Sequence, residues 1–283
     1  MTMRNQPTAR QVRLGTELRR LREAAGKSAR EVAGLLSSSS THMSQIEAGS
    51  SGINEERLRR LAAHCACADG ELIDALVGMA ADRTRGWWEE YRGVLPTPFL
   101  DLSELDHHAA FRHDVAVIHV PGLLQTEDYA RALFSYMAPE LPRSEVDARV
   151  SHRMKRRVVI DRPDPIRYEA VIHEAALRIR VGDRAVARAQ LERILEHSAS
   201  EHVTVRVIPF DVDGFAGGGS AMGHLGGPVP RLDTVVRDAP HGTGFIDSEA
   251  QLAHFRTLFR RVEESSLNPG RSRDFIRKLA EEL

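Results

Sequence analysis

The sequence has almost no lysine: Lys27, Lys155 and Lys278 are the only three among 39 basic residues. Nearly all its positive charge therefore sits on guanidinium groups, which can fork onto phosphate or guanine. Cysteine is nearly absent. Cys65 and Cys67 are too few and too close together for a disulfide scaffold. No apolar run approaches the ~18 residues that a membrane helix needs. The polar, arginine-rich start, Met1 to Arg22, lacks the apolar stretch of a secretory signal. Together these absences predict a soluble, cytoplasmic protein with no membrane partner.

What is present is enough to fold. The chain has 283 residues, 42% of them hydrophobic, with a mean hydropathy of −0.33. That length allows two domains, or a small one joined to a larger one. Charge is uneven along the chain. Residues 1–60 carry +5, residues 61–150 carry −8 and residues 151–283 carry +2. A basic first segment on a nearly neutral body predicts a polyanion partner for the first domain alone.

The first segment reads as short helices. Val12, Leu14, Leu18 and Leu21 recur at helical spacing over residues 11–25, and Gly26 stops that helix. Ser28 with Glu31 forms a capping box for a second helix, whose apolar face is Val32, Leu35 and Leu36. Ser37–Ser40 is a polar break. A third helix turns Met43 and Ile46 inward and ends at Gly49. Asn54 caps a fourth helix, and Glu71 to Met79 forms a fifth. Trp87, Trp88 and Tyr91 then crowd three of fifteen aromatics into five positions, and Pro96 and Pro98 interrupt helix formation.

The composition changes near residues 80–86. This predicts a domain over 1–82, a linker helix and Pro-rich connection over 83–100, and a larger domain over 101–283. The larger domain mixes strands (115–120, 167–173, 202–209, 233–237, 244–246) with helices (126–137, 144–158, 184–198, 248–264, 269–283). Without a regular βαβ rhythm, the mixture predicts α+β. The fold class is thus an N-terminal all-α helix-turn-helix bundle followed by a larger α+β domain.

Residues 28–49 carry the chemistry. Two short helices are joined by a tight polar turn, and the second shows small polar side chains outward. Ala33 and Gly34 offer a small residue for a close helix crossing. Ser40, Thr41, Ser44 and Gln45 offer hydrogen-bonding groups where a recognition helix enters the major groove. The helix starts at Ser28 and Ser39 offer N–H groups to phosphate, and Arg13, Arg19 and Lys27 offer charge. These nine residues are the predicted DNA-binding set.

Residues 14–61 resemble the Xre/Cro-repressor class of helix-turn-helix domains, a compact bundle of about five helices. The stretch from Ser39 through Thr41, His42, Met43, Ser44, Gln45, Ile46, Glu47 and Ala48 to Gly49 carries the likeness. It implies that Glu47 closes the helix structurally while Ser40, Thr41, Ser44 and Gln45 face bases. Ser37 and Ser38 stand where that class usually has glycine and an apolar residue, and Ala29 where a phosphate-binding Gln is common. Further landmarks are Gly86-Trp87-Trp88, Pro121 to Arg131, Asp161 to Pro165 and His173 to Leu177. Together they resemble regulators that join an Xre domain to a C-terminal domain of unsettled function, the WhiJ-like or antitoxin-like developmental regulators. The resemblance implies a transcriptional regulator, often encoded beside a small partner protein, and no catalytic residue.

Other groupings have plainer readings. His64, Cys65 and Cys67 are too closely spaced for a zinc site. His107, His108 and His113 among Asp101, Glu104, Asp106 and Asp114 suggest a divalent cation, or simply a solvated polar loop. Gly214 to Gly219 lacks the Lys-Ser/Thr ending of a phosphate loop and reads as a flexible hairpin or lid; Ser220 has no nucleophile elbow. Trp87, Trp88 and Tyr91 form a ligand cage or, more simply, pin the linker helix. No metal, cofactor or catalytic group is predicted. Two functions stand. One is a sequence-specific, dimeric DNA-binding regulator whose C-terminal domain senses an effector or partner. The other is an antitoxin-like protein that binds and neutralises a small neighbouring-gene partner, with DNA binding for autoregulation.

Overall fold

A computed structural model describes residues 6–82, 84–216, 221–239 and 242–283. The chain falls into two compact units. One is residues 1–86 together with Val229–Leu232; the other is Trp87–Pro228 together with Asp233–Leu283.

The first unit is all helix: α1 (Ala9–Ala24), α2 (Ala29–Leu35), α3 (Ser40–Glu47), α4 (Glu55–His64) and α5 (Gly70–Ala81). Each start is capped by a side chain: Thr8, Ser28, Ser39, Asn54 and Asp69 accept from a backbone N–H three residues on. Leu18, Val32, Met43, Leu58, Leu61, Leu72 and Leu76 meet in one buried core. Val229 is buried in that core too, and Leu232 packs on it.

Of the two small residues of α2, Ala33 is the one that lies in the core, at 1% exposure; at Gly34 an added Cβ would meet nothing within 4 Å. α3 is also approached closely by Gly15 of α1. A Cβ there would lie 2.5 Å from the Glu47 carbonyl oxygen and 2.6 Å from that of Ile46. Gly49 makes the reciprocal approach, its absent Cβ position 2.7 Å from the Gln11 backbone.

The second unit is built on one six-stranded sheet in the order β3-β2-β1-β4-β5-β6. It opens with a 3₁₀ turn, Trp87–Tyr91, and α6 (Thr97–His108). Pro96 and Pro98 start this helix rather than interrupt a structure. Pro96 is the N-cap and Pro98 sits in the first turn, where a missing N–H costs nothing. Then come β1 (Phe111–Ala116), α7 (Glu127–Met137), α8 (Arg143–Arg156), α9 (Val158–Asp161) and β2 (Arg167–His173). They are followed by α10 (Glu174–Arg178), α11 (Arg184–His197), β3 (Val203–Ile208), β4 (Met222–Gly226), β5 (Thr234–Ala239), β6 (Gly242–Ile246), α12 (Glu249–Glu264) and α13 (Pro269–Glu281).

β1, β2 and β3 are parallel, with Phe111 opposite Arg167 and Tyr168 opposite Val203. β4, β5 and β6 continue the sheet antiparallel. Both faces are covered. α12 lays Leu252, Phe255, Phe259 and Val262 on Val115, Val171, Ile208 and Val235. On the other face Tyr168, Ala170, Ile172, Val205 and Val207 meet Tyr129, Leu191, Ile194, Ile276 and Leu279. The unit is mixed α and β.

The sequence misplaces one strand and misses another. β1 lies four residues before the expected 115–120, because its polar-looking start is buried in an ion network. Asp106 and Asp114 therefore do not sit in a solvated loop. Arg112 Nη1 donates to Asp106 at 2.6 Å, and its Nε donates to Asp114 at 2.9 Å. Arg156 Nη2 donates to Asp106 at 2.7 Å, and the Tyr168 hydroxyl donates to Asp114 at 2.8 Å. Burial alone would raise the Asp106 pKa, but Arg112 and Arg156 outweigh it and hold it below the usual carboxylate value.

The missed strand, β4, follows the stretch Gly214–Gly219 that reads as a flexible hairpin or lid. Glycine is required there for packing. A Cβ on Gly223 would stand 2.7 Å from Arg112 Nη2 and 2.8 Å from Asp114 Oδ1. Gly217–Ser220, the end of that expected lid and the serine beside it, lie outside the described residues.

Trp88 and Tyr91 are buried in the second unit with Leu95 and Leu100, and the Tyr91 hydroxyl lies 2.8 Å from Ser151 Oγ. Among the described residues no helix is long and apolar enough to cross a membrane.

Candidate nucleic-acid interface

The turn between α2 and α3 is held from both sides. Ser28 caps α2 reciprocally with Glu31: the Glu31 N–H donates to Ser28 Oγ at 3.2 Å, and the Ser28 N–H donates to Glu31 Oε2 at 2.7 Å. At the far end of α2, Arg60 Nη2 donates to the Leu35 carbonyl at 2.7 Å. Ser37 then takes the left-handed region at φ 51°. This bend turns the chain into α3.

α3 divides into two faces. Met43, Ile46 and Glu47 are buried. Ser40, Thr41, Ser44 and Gln45 are all exposed. Ser44 Oγ donates to the Ser40 carbonyl at 3.0 Å, so its lone pairs still face outward. Gln45 has no side-chain partner among the described residues. Ser39 Oγ accepts the His42 N–H at 3.1 Å, which leaves the first N–H groups of α3 pointing outward.

The inner face is fixed by charge as well as by apolar contact. Glu47, 4% exposed, receives Arg22 Nε at 2.5 Å and Nη2 at 2.9 Å, and Arg19 Nε at 3.2 Å. Burial pushes the Glu47 pKa up, and Arg22 and Arg19 more than reverse this, so it stays below the usual value. The fork holds α3 against α1. Glu47 does close the helix structurally, and its main partner, Arg22, is absent from the predicted set.

The predicted phosphate-holding residues separate on this frame. Arg13 is enclosed, at 5% exposure. Its Nη1 lies 3.2 Å from Glu17 and its Nη2 donates to the Arg231 carbonyl. Glu17, fully buried, also receives Arg20 and, at 2.9 Å, Arg231 Nε. Arg13 is therefore part of a buried ion cluster, not a surface cation. The acid four residues after it was the sequence signal. Arg19 is half exposed but pairs with Glu47. Lys27 remains half-buried and without an ion pair among the described residues. At Ser28 the free N–H is taken by Glu31, whose carboxylate disfavours phosphate at that helix start.

Two cations outside the predicted set also stand at helix starts. Arg30 is exposed at the start of α2 and Arg57 is half-buried at the start of α4. Neither has an ion-pair partner among the described residues. Both could have been found from the sequence, because neither has an acid three or four positions away.

Residues 13–76 match the family model described as a helix-turn-helix domain. Residues 99–278, more than half of the chain, match the model described as a domain of unknown function, DUF5753. The chain belongs to the DUF5753 family. No curated protein and no solved structure matches it. In this DUF5753 protein the helix-turn-helix match begins inside α1 and ends inside α5, and the DUF5753 match begins inside α6 and ends inside α13.

Proposed function

We propose that this protein is a sequence-specific DNA-binding transcriptional regulator of the Xre class, with α3 as its recognition helix. The carrying observation is the row of Ser40, Thr41, Ser44 and Gln45, exposed on a helix whose opposite face is locked by Met43, Ile46 and the Arg22–Glu47 fork. Gln45 suits a bidentate contact to adenine, and the serines and threonine suit several base edges. The N–H groups at the start of α3, with Lys27, Arg30 and Arg57, supply phosphate contacts.

One such helix reads only a few base pairs, so the acting species is a homodimer on two half-sites. The DUF5753 unit is a non-catalytic sensing module for an effector or a small partner protein, as in the WhiJ-like regulators it resembles. Its buried carboxylates support this reading: Asp106 and Asp114 are committed to Arg112 and Arg156 rather than open to a substrate.

The test is binding of the full chain to its own upstream DNA across a salt series, followed by selection from random DNA. Affinity should fall steeply with salt. Gln45→Ala should relax preference at one operator position, at a cost of ~1–3 kcal/mol. Salt-independent binding, or an unchanged selected sequence with Gln45→Ala, would refute the assignment of α3.

A further inference from the structure

The face of the sheet that α12 covers is only partly roofed. Side chains alternate along a strand, so Phe111 and His113 share the face of Val115, and Arg167 and Glu169 share that of Val171. α12 reaches Val115 and Val171, and its Phe259 ring stacks on His113 at 4.6 Å and 15°. Beyond it, at the starts of β1, β2 and β3, lies a cavity of about 410 Å3. That falls within the ~300–1,000 Å3 of small-molecule sites.

Phe111, His113 and Tyr168 supply the cavity's rings; the Tyr168 hydroxyl is held by Asp114 and His202 Nε2 lies 2.7 Å from the Ile160 carbonyl, while the side chains of His113, Arg167 and Glu201 make no hydrogen bond or ion pair among the described residues. His113 stands 4.8 Å from the Phe111 ring and 5.9 Å from His224. Neither nitrogen of His113 has a hydrogen-bond partner among the described residues. Burial, His224 and the Arg167 charge push its pKa down to about 4, with Asp114 and Asp233 opposing, so the ring is neutral at ordinary pH. It therefore presents one donor and one acceptor. Arg167 and Glu201, both exposed, line the same cavity, and neither has an ion-pair partner among the described residues. Glu169 is already held by Arg206 at 3.1 Å.

We propose that this cavity binds a small aromatic zwitterion of the amino-acid type. Its ring lies against Phe111 and His113, its carboxylate meets Arg167, and its ammonium meets Glu201. A guanidinium fork matches a carboxylate, and an unpaired carboxylate beside it selects against a simple anion. The neutral imidazole completes the ligand's polar contacts. This site stands on the sheet unit alone and does not depend on the reading of α3.

The experiment titrates the full chain with L-tryptophan and L-tyrosine, followed by calorimetry and by the histidine ring resonances. Saturable binding is expected with at least one of them, with movement of the His113 signal. L-leucine and tryptophanamide should bind at least about tenfold more weakly than L-tryptophan. Arg167→Ala should cost about tenfold or more without lowering the melting temperature. Glu201→Gln should weaken L-tryptophan but not N-acetyltryptophan. The proposal is overturned if neither amino acid saturates by ~10 mM, if L-leucine binds equally well, or if Arg167→Ala and Glu201→Gln leave affinity unchanged.

Discussion

Two polar stretches of this chain have opposite fates. Ser37–Gln45 lies in the helical unit and turns Ser40, Thr41, Ser44 and Gln45 into solvent. Asp106–Asp114 lies in the sheet unit and buries Asp106, Arg112 and Asp114. The difference is charge balance. The serines and glutamine have no charged partner to draw them inward, so exposure keeps their hydrogen bonds satisfied by water. Asp106 and Asp114 find Arg112 and Arg156 at bonding distance, so burial leaves no uncompensated charge. Polar composition alone therefore does not tell an exposed stretch from a buried one; internal partners do.

The sharpest way to break this contrast is to remove one member of the buried set. Arg112→Met keeps the volume but strips a cation from Asp106 and half the partners from Asp114. It should cost ~3–5 kcal/mol in denaturant unfolding. Gln45→Ala should change stability by no more than ~0.5 kcal/mol. Equal losses would mean that the two stretches do not differ as described.

Acid should separate the two units next. Burial, with Arg156 and Arg153 nearby, lowers the His152 pKa to about 3, and His113 is lowered to about 4, from an ordinary 6.5. His119 and His197 are lowered too, chiefly by burial. All four lie in the sheet unit. Below pH 6.5 the unfolded chain takes up protons that the folded chain refuses. Stability is thus full above 6.5 and is lost as pH falls toward 4. Asp106, held low, adds stability that is present above its ordinary 3.8 and lost only below that. Trp87 and Trp88 both lie in the sheet unit, so their fluorescence follows it alone. The urea midpoint they report should fall between pH 7 and pH 5, and His152→Phe should flatten that slope. A constant midpoint would contradict the buried, neutral state of these rings.

A smaller effect tests the helical unit by itself. Gly15→Ala forces a Cβ onto the carbonyls of Glu47 and Ile46, and should cost ~1–3 kcal/mol. Gly34→Ala meets nothing and sits in a helix, so it should gain ~0.5–1 kcal/mol. Hydrogen exchange in α1 and α3 should report both changes. If Gly34→Ala were the damaging one, Gly34 rather than Ala33 would be the residue of α2 that packs closely.

Much of the helical unit was legible because its signals are local. Ser28 with Glu31, Asn54, Gly26 and the Met43–Ile46 pair each act within one turn, and each does in the structure what its spacing implied. What failed was long-range. Gly15 matters because of α3, thirty residues on, and Arg13 is buried by Glu17 and by Arg231, more than two hundred residues away. In the sheet unit the same reason hid β1 and β4. Phe-Arg-His-Asp does not alternate apolar with polar, and Gly223 reads as a loop residue until Arg112 and Asp114 are seen to fill its missing side chain. The cavity beside His113 joins three strand starts and left no mark in any one of them.

The last and smallest expected effect is at the turn itself. Ser37 holds φ 51°, a region that costs an L-residue ~1–2 kcal/mol and costs glycine nothing. Glycine, however, loses more freedom on folding, which returns part of that gain. Ser37→Gly should therefore stabilise the helical unit by less than ~1 kcal/mol, seen as slower hydrogen exchange in α2 and α3. The Ser37 side chain is exposed and has no partner among the described residues, so nothing else is removed. Because the bend is unchanged, α3 should keep its orientation and the selected DNA sequence should stay the same. A changed sequence preference would show that Ser37 itself reads DNA. Faster exchange would show that the left-handed turn is supported by contacts its φ angle alone does not reveal.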